Sequence, residues 1–301
     1  MGSMVYYGFR LSLRPRLNLR MVRALCSIEP GGSRLQILEQ VDKELASGND
    51  VAALSLARDL QGKPGGLRCF GAARQIPQRL YTLDELKLNN IDTLSLLSPV
   101  DATLGSIERN LQVAAVLAGI SAWVAFGLTQ QQILLLSLGL LFLWSLDLVL
   151  VNGGIGSLVL DTIGHTVSQK YHNRVIQHEA GHFIIAYLLG ILPKGYTLSS
   201  LEALRKEGSL NVQAGTAFVD FEFVEEVNKG KVSAQLDRLL KGLGFTQKKA
   251  DSQVRWAVLN IVLLLRRHEG ARSKLAEAMS MGRSVGFCID TIEKAIDDVE
   301  I

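Results

Sequence analysis

The apolar positions of this chain fall into blocks with different periods. From Arg34, the residues Leu35, Ile37, Leu38, Val41 and Leu45 recur at three and four, which predicts a helix that Gly48 ends. Asn49 or Asp50 can cap a second helix over Val51–Leu60, with Leu54, Leu56 and Leu60 apolar and Gly62 as its stop. Together they predict a helical hairpin. Thr82-Leu83-Asp84-Glu85 has the spacing of a capping box for a short helix. Two long apolar blocks follow, Leu111 to Thr129 and Ile133 to Val151, separated by Gln130-Gln131-Gln132. A bilayer's hydrocarbon core needs about 20 residues of helix, so each block is long enough to cross it.

Beyond the long blocks, Ile155 to Val167 predicts a helix or helix-turn, and Asn173 can cap the start of the next helix. Leu192-Pro193-Lys194-Gly195 reads as a turn. Ala214 to Phe223 alternates as a strand, with Ala217, Val219, Phe221 and Phe223 on one face. From Lys248 the pattern is helical to the end: Val254, Ala257, Val258, Ile261, Val262 and Leu265 mark a buried stripe, and Leu275, Met279, Val285 and Ile292 mark elements packed on it. The expected architecture is mostly α with a small β element. Its regions are 1–28, a small helical segment over 29–110, a two-span transmembrane hairpin over 111–151, and a helical domain over 152–301.

Composition sharpens this outline in three places. Hydrophobic residues make up 48% of the 301 residues, and the mean hydropathy of +0.21 reflects the concentration of apolar residues in the two long blocks. Both flanks of such a hairpin must lie on one side of the membrane. Asp147 is the one charge within the spans, either a functional intramembrane carboxylate or one that reaches interfacial water from near the helix end. Residues 1–28 carry five arginines (Arg10, Arg14, Arg16, Arg20 and Arg23) and no acid before Glu29, as an organelle transit peptide does. With 32 basic and 29 acidic residues, net +3, no nucleic-acid partner is expected. Cys26, Cys69 and Cys288 are scattered, without a C-x-x-C, and read as ordinary small hydrophobes in a reducing compartment.

The chemistry concentrates in Gln177-His178-Glu179-Ala180-Gly181-His182. On a helix, His178 and His182 stand one turn apart on one face and can both reach a zinc ion at about 2.0–2.1 Å. Glu179 lies beside them, placed to take a proton from a water that the metal activates. Asp161, His165 and His172 are near in sequence and read as ordinary polar residues, any of which could orient a zinc ligand. Gly62-Lys63-Pro64-Gly65-Gly66 lacks the spacing of a phosphate-binding loop, and the motif occurs nowhere else in the chain.

His178-Glu179-Ala180-Gly181-His182, with Gly195-Tyr196-Thr197-Leu198 downstream, resembles the FtsH-type membrane zinc metalloproteases. The stretches from Gln177 to about Ser200 and from Gln247 onward resemble the plant chloroplast subgroup that keeps a peptidase domain but lacks an ATPase domain. The resemblance implies an FtsH-like helical peptidase domain and a membrane-anchored metalloendopeptidase in organelle protein turnover. Glu179 would be catalytic and His178 and His182 would be zinc ligands. It implies protein or peptide substrates, contact with membrane lipid, and ATPase-bearing FtsH-type partner subunits. The implied location is a chloroplast membrane, thylakoid or envelope, with the mitochondrial inner membrane as the alternative.

The family's third ligand is an Asp carried after a small-residue helix and a Gly-rich loop. That segment is missing between Ala234 and Gln235, which leaves Asp237 and Asp251 as stand-ins. Their plainer roles are a solvated helix-face acid and a helix N-cap. The gap supports a second expectation, a proteolytically inactive FtsH-like scaffold or assembly partner, or a shortened isoform.

Overall fold

The computed structural model describes residues 34–63, 65–92, 102–127, 129–208, 214–219 and 240–296. The Arg-rich start, Cys26, Asp237 and the junction at Ala234 lie outside the described residues.

Eleven helices and one two-stranded sheet are described. The predicted hairpin is α1 (Arg34–Ala46) and α2 (Asp50–Leu60). Asn49 does occupy the N-cap position of α2, but its side chain does not cap the helix; Asn49 Nδ2 instead donates to Glu44. The short α3 (Leu83–Leu88) begins with the expected capping box, Thr82 and Glu85 satisfying each other's backbone amides. Next come α4 (Ala102–Phe126) and α5 (Gln130–Val151), followed by α6 (Gly154–Val167) and α7 (Gln169–Leu188). Strand β1 (Pro193–Thr197), helix α8 (Ser200–Glu207) and strand β2 (Gly215–Phe218) come next. The chain closes with α9 (Gln247–Arg267), α10 (Glu269–Ser280) and α11 (Val285–Ala295).

Three local expectations are corrected. Helix α7 starts at Gln169, because the Ser168 hydroxyl accepts from the Tyr171 amide; Asn173 lies inside the helix, where its carbonyl oxygen accepts from Gln169. The supposed turn at Pro193 is the start of β1. Proline is tolerated there as the first residue of an edge strand, and β1 pairs antiparallel with β2, Thr197 opposite Gly215. Asp251 does not cap α9; Thr246 precedes the helix, and Asp251 sits inside it, accepting from Gln247 Nε2.

Helices α4 and α5 contain two 22-residue segments, Gly105–Phe126 and Gln130–Val151, apolar and long enough to cross a membrane. Their large side chains stand exposed all round, from Val113 to Phe126 and from Leu134 to Leu150, as helices that face lipid require. Thr129 and Gln132 form a capping box at the start of α5, so the glutamine break is also a helix-start device. Asp147 has a role that its position alone did not reveal. Asn152 and Gly153, both left-handed, turn the chain back, and the Asp147 carboxylate accepts the amides of Ile155 and Gly156 at 3.0 Å each. It thereby satisfies the first turn of α6, whose N-cap is a glycine with no side chain to do so.

The two flanks of this hairpin share one core. Leu38, Val41, Leu54, Leu56 and Phe70 from the N-terminal side pack with Phe183, Ile184, Tyr187, Leu275, Met279 and Ile289. The loop after α2 crosses the C-terminal end of α7, where Gly71 N–H donates to Tyr187 O and Ala73 N–H to Leu188 O. This satisfies carbonyls that a helix end leaves open. The approach is close at Gly190 (φ +83°): a Cβ there would lie 3.3 Å from Gly71 Cα. The polar centre of the core is Glu293, fully buried on α11. Its carboxylate accepts the amides of Arg68 and Cys69 and the hydroxyl of Tyr187. Nearby, Arg34 bridges Asp290 at 2.7 Å, tying α1 to α11. Further along, residues 74–92 run beside α9, with Asn260 and Trp256 bonded to the backbone of Ile76 and Arg266 to the carbonyls of Asn89 and Asn90. Cys69 and Cys288 are buried free thiols, pushed up to about 12 chiefly by desolvation, so they behave as inert apolar residues.

Replacing Glu293 by Ala leaves two amides and a hydroxyl without an acceptor and should lower stability by roughly 3 kcal/mol or more, with Glu293→Gln losing less. Thermal unfolding of the detergent-solubilised chain measures both. Asp147→Ala should cost about 1–2 kcal/mol through the lost cap of α6. An unchanged midpoint would mean that the bonds from Ile155 and Gly156 to Asp147 do not hold the start of α6.

Candidate metal centre

Helix α7 carries the motif because its two faces do different work. Ile176, Ala180, Phe183, Ile184, Tyr187 and Leu188 are buried, which fixes the rotation of the helix and leaves His178 and His182 at the surface. Their rings meet nearly edge to face, at 85°, with the two Nε2 atoms 3.0 Å apart. Two nitrogens bound to one ion at about 2.0–2.1 Å stand about 2.9 Å apart at a right angle and about 3.4 Å apart at a tetrahedral one. The observed separation falls inside that window. His178, Glu179 and His182 each offer a ligand atom within 4.8 Å of the others.

Glu179 is only 4% exposed, held under β2. The Thr216 hydroxyl donates to its Oε2 at 3.0 Å. Burial drives the carboxyl up to about 7, against the opposing pull of Thr216. A dication beside it would draw that value back down. His182 moves the other way: desolvation first, then the neighbouring His178 ring, lowers it to about 4. Its ring reaches the surface, so the neutral form is favoured by what crowds the nitrogen rather than by full enclosure. A neutral imidazole is the form that ligates metal.

Thr216 was not legible as a site residue. It lies 37 positions from Glu179, on the face of the strand opposite Ala217 and Val219. The structure buries Thr216 at 7% exposure while Ala217 is half-buried. The strand therefore turns the Thr216 hydroxyl to the motif helix, while Val219 of the expected apolar face joins the core beside Phe183. Phe221 and Phe223 lie outside the described residues. Only the general rule that a buried carboxylate needs a donor could have asked for such a residue, and no spacing would have named it.

Among the described residues no further His, Cys, Asp or Glu joins the cluster. Asp251, one of the two stand-ins, is engaged with Gln247 and lies 3.9 Å from Arg255 on α9.

Asp161, His165 and His172 come together with one another at the corner between α6 and α7. His165 Nδ1 and His172 Nδ1 are 2.8 Å apart, and Asp161 accepts from Tyr171 Oη and from the Ser200 amide. Burial would raise the Asp161 carboxyl, but the neighbouring His165 ring and the hydrogen bonds from Ser200 and Tyr171 outweigh that and bring it to about 2. For His172, burial and then the adjacent His165 ring disfavour the cation.

Compared with protein-family models, with curated proteins and with solved structures, the chain has no match.

Proposed function

We propose that this chain is a membrane-anchored zinc metalloendopeptidase of the FtsH-like type, acting in protein turnover in an organelle membrane, a chloroplast membrane before the mitochondrial inner membrane. One observation carries the reading: two imidazole Nε2 atoms at metal-clip separation on one helix face, with the carboxylate of the intervening Glu held beside them by a hydroxyl from a separate strand.

In this reading His178 and His182 hold the ion. Zinc, when bound, polarises a peptide carbonyl and makes water more acidic. Thr216 fixes Glu179 through Oε2, which leaves Oε1 as the atom that takes a proton from water and returns it to the departing amine nitrogen. The apolar core beneath α7 keeps the two rings from turning away. The exposed position of the histidines suits an extended, unfolded segment of substrate rather than a folded domain. Unfolding such substrates is work for ATPase-bearing FtsH-type partner subunits.

A second reading, an inactive scaffold that keeps the peptidase fold, is favoured by the two-histidine ligand set among the described residues.

Zinc content and cleavage separate the two. The purified chain should hold about one zinc sensitive to His178→Ala, His182→Ala, and should cleave an unfolded protein. Glu179→Gln should abolish cleavage, a loss of at least about a hundredfold, while the zinc stays bound. Cleavage that survives Glu179→Gln sinks the peptidase assignment. Zinc retained with no cleavage by the native chain would select the scaffold.

A further inference from the structure

We infer that the corner between α6 and α7 is a second metal site, in which His165 and His172 clip one divalent transition ion through their Nδ1 atoms and Asp161 orients His165 from behind. The ion is of the imidazole-preferring class, copper(II), nickel(II) or zinc(II), with water completing its coordination.

Three features carry this. The two Nδ1 atoms face each other at 2.8 Å, with ring planes 79° apart, the same edge-to-face arrangement as the His178–His182 pair. That separation is within about 0.1 Å of the right-angle value expected for two nitrogens on one ion. The second feature is the outward nitrogen of His165. Nε2 is buried without a hydrogen bond, and the nearest carboxylate oxygen, Asp161 Oδ1, lies 3.5 Å away. A contraction of a few tenths of an ångström makes Nε2–H the donor to Asp161. That tautomer leaves a lone pair on Nδ1, pointed at His172. A carboxylate behind a ligating imidazole is the usual outer support of a metal-bound histidine. Third, Asp161 is itself fixed, by Tyr171 Oη at 2.7 Å and by the Ser200 amide at 2.8 Å, so its place behind the ring does not depend on an ion.

The two pairs form separate sites. His172 and His178 are six residues apart on one helix, about 9 Å along its axis and about 120° around it. The second pair also differs in connection. His165 lies in the last turn of α6, the helix that follows the membrane-crossing α5, and His172 lies in the first turn of α7. An ion here would join the membrane side of the chain to the motif helix. It stands apart from the proposed peptidase activity and needs no zinc at His178.

The test uses the tag-free full chain in detergent, stripped by chelator and titrated with copper(II). In the His178→Ala, His182→Ala variant, about one equivalent should bind and show electron-spin splitting from two nitrogens. Adding His165→Ala or His172→Ala should remove that signal. Asp161→Asn should weaken binding roughly 10–100-fold while the two-nitrogen pattern persists, an effect that general loosening would not produce. The fold of each variant is checked by circular dichroism. If the double variant does not fold, the native chain is compared with His165→Gln, which should bind one equivalent fewer. Copper uptake indifferent to His165 and His172, or none at all in a folded chain, overturns the site. If instead the native chain binds one ion that is lost with His165, the peptidase reading fails and this one stands.

Discussion

The buried carboxylate of Glu293 is the interaction that the rest of the structure depends on. It sits on the last helix described, yet its acceptors serve a loop more than two hundred residues earlier and a tyrosine on the motif helix. A carboxylate at that depth is stable only when the donors of the loop and of α7 converge on it. Any arrangement that leaves out the loop or α7 removes donors from this buried carboxylate. The same carboxylate that penalises partial assembly thus specifies the complete one, in which the N-terminal helices, α7 and α11 are parts of one body. Tyr187 responds in kind: burial, and then Glu293, pushes its hydroxyl far above its ordinary value, so it remains a donor.

The helical periods were legible wherever a stretch has one buried face. Leu38, Val41 and Leu45, the Thr82 capping box and the two long apolar blocks sit where their periods put them, whereas Leu35 is exposed. The stripe expected along α9 is not the buried one: Leu259, Asn260 and Leu264 are buried there, while Val254, Ala257, Val258, Val262 and Leu265 are half-buried and Ile261 is exposed. Boundaries decided by a single side chain were less so, because Ser168, Asn173, Thr246 and Asp251 are all chemically able to cap. At α7 the chain turns at Ser168, whose hydroxyl caps the helix, whereas at α9 Thr246 holds the N-cap position without a side-chain bond. The metal pair His178–His182 was legible because both residues lie within one helical turn and one interval describes their relation. Thr216 and Glu293 were not. Their partners come from distant strands and loops, and no local interval encodes a contact of that kind. The meeting of His165 with His172 is intermediate: seven residues apart, they face each other only because the chain bends at Ser168 between them.

Placing two long apolar helices between two halves of one core has a consequence during synthesis. Arg34 must wait for Asp290, 256 residues later. At about 5–20 residues per second, roughly 10–50 s pass between the two. Over that interval Leu38, Val41, Leu54 and Leu56 of α1 and α2 have only one another to pack on, without the side chains of α7, α10 and α11 that complete their core. The core shared by the two flanks therefore closes last. The first half of the protein is, for that time, a client for whatever holds nascent chains.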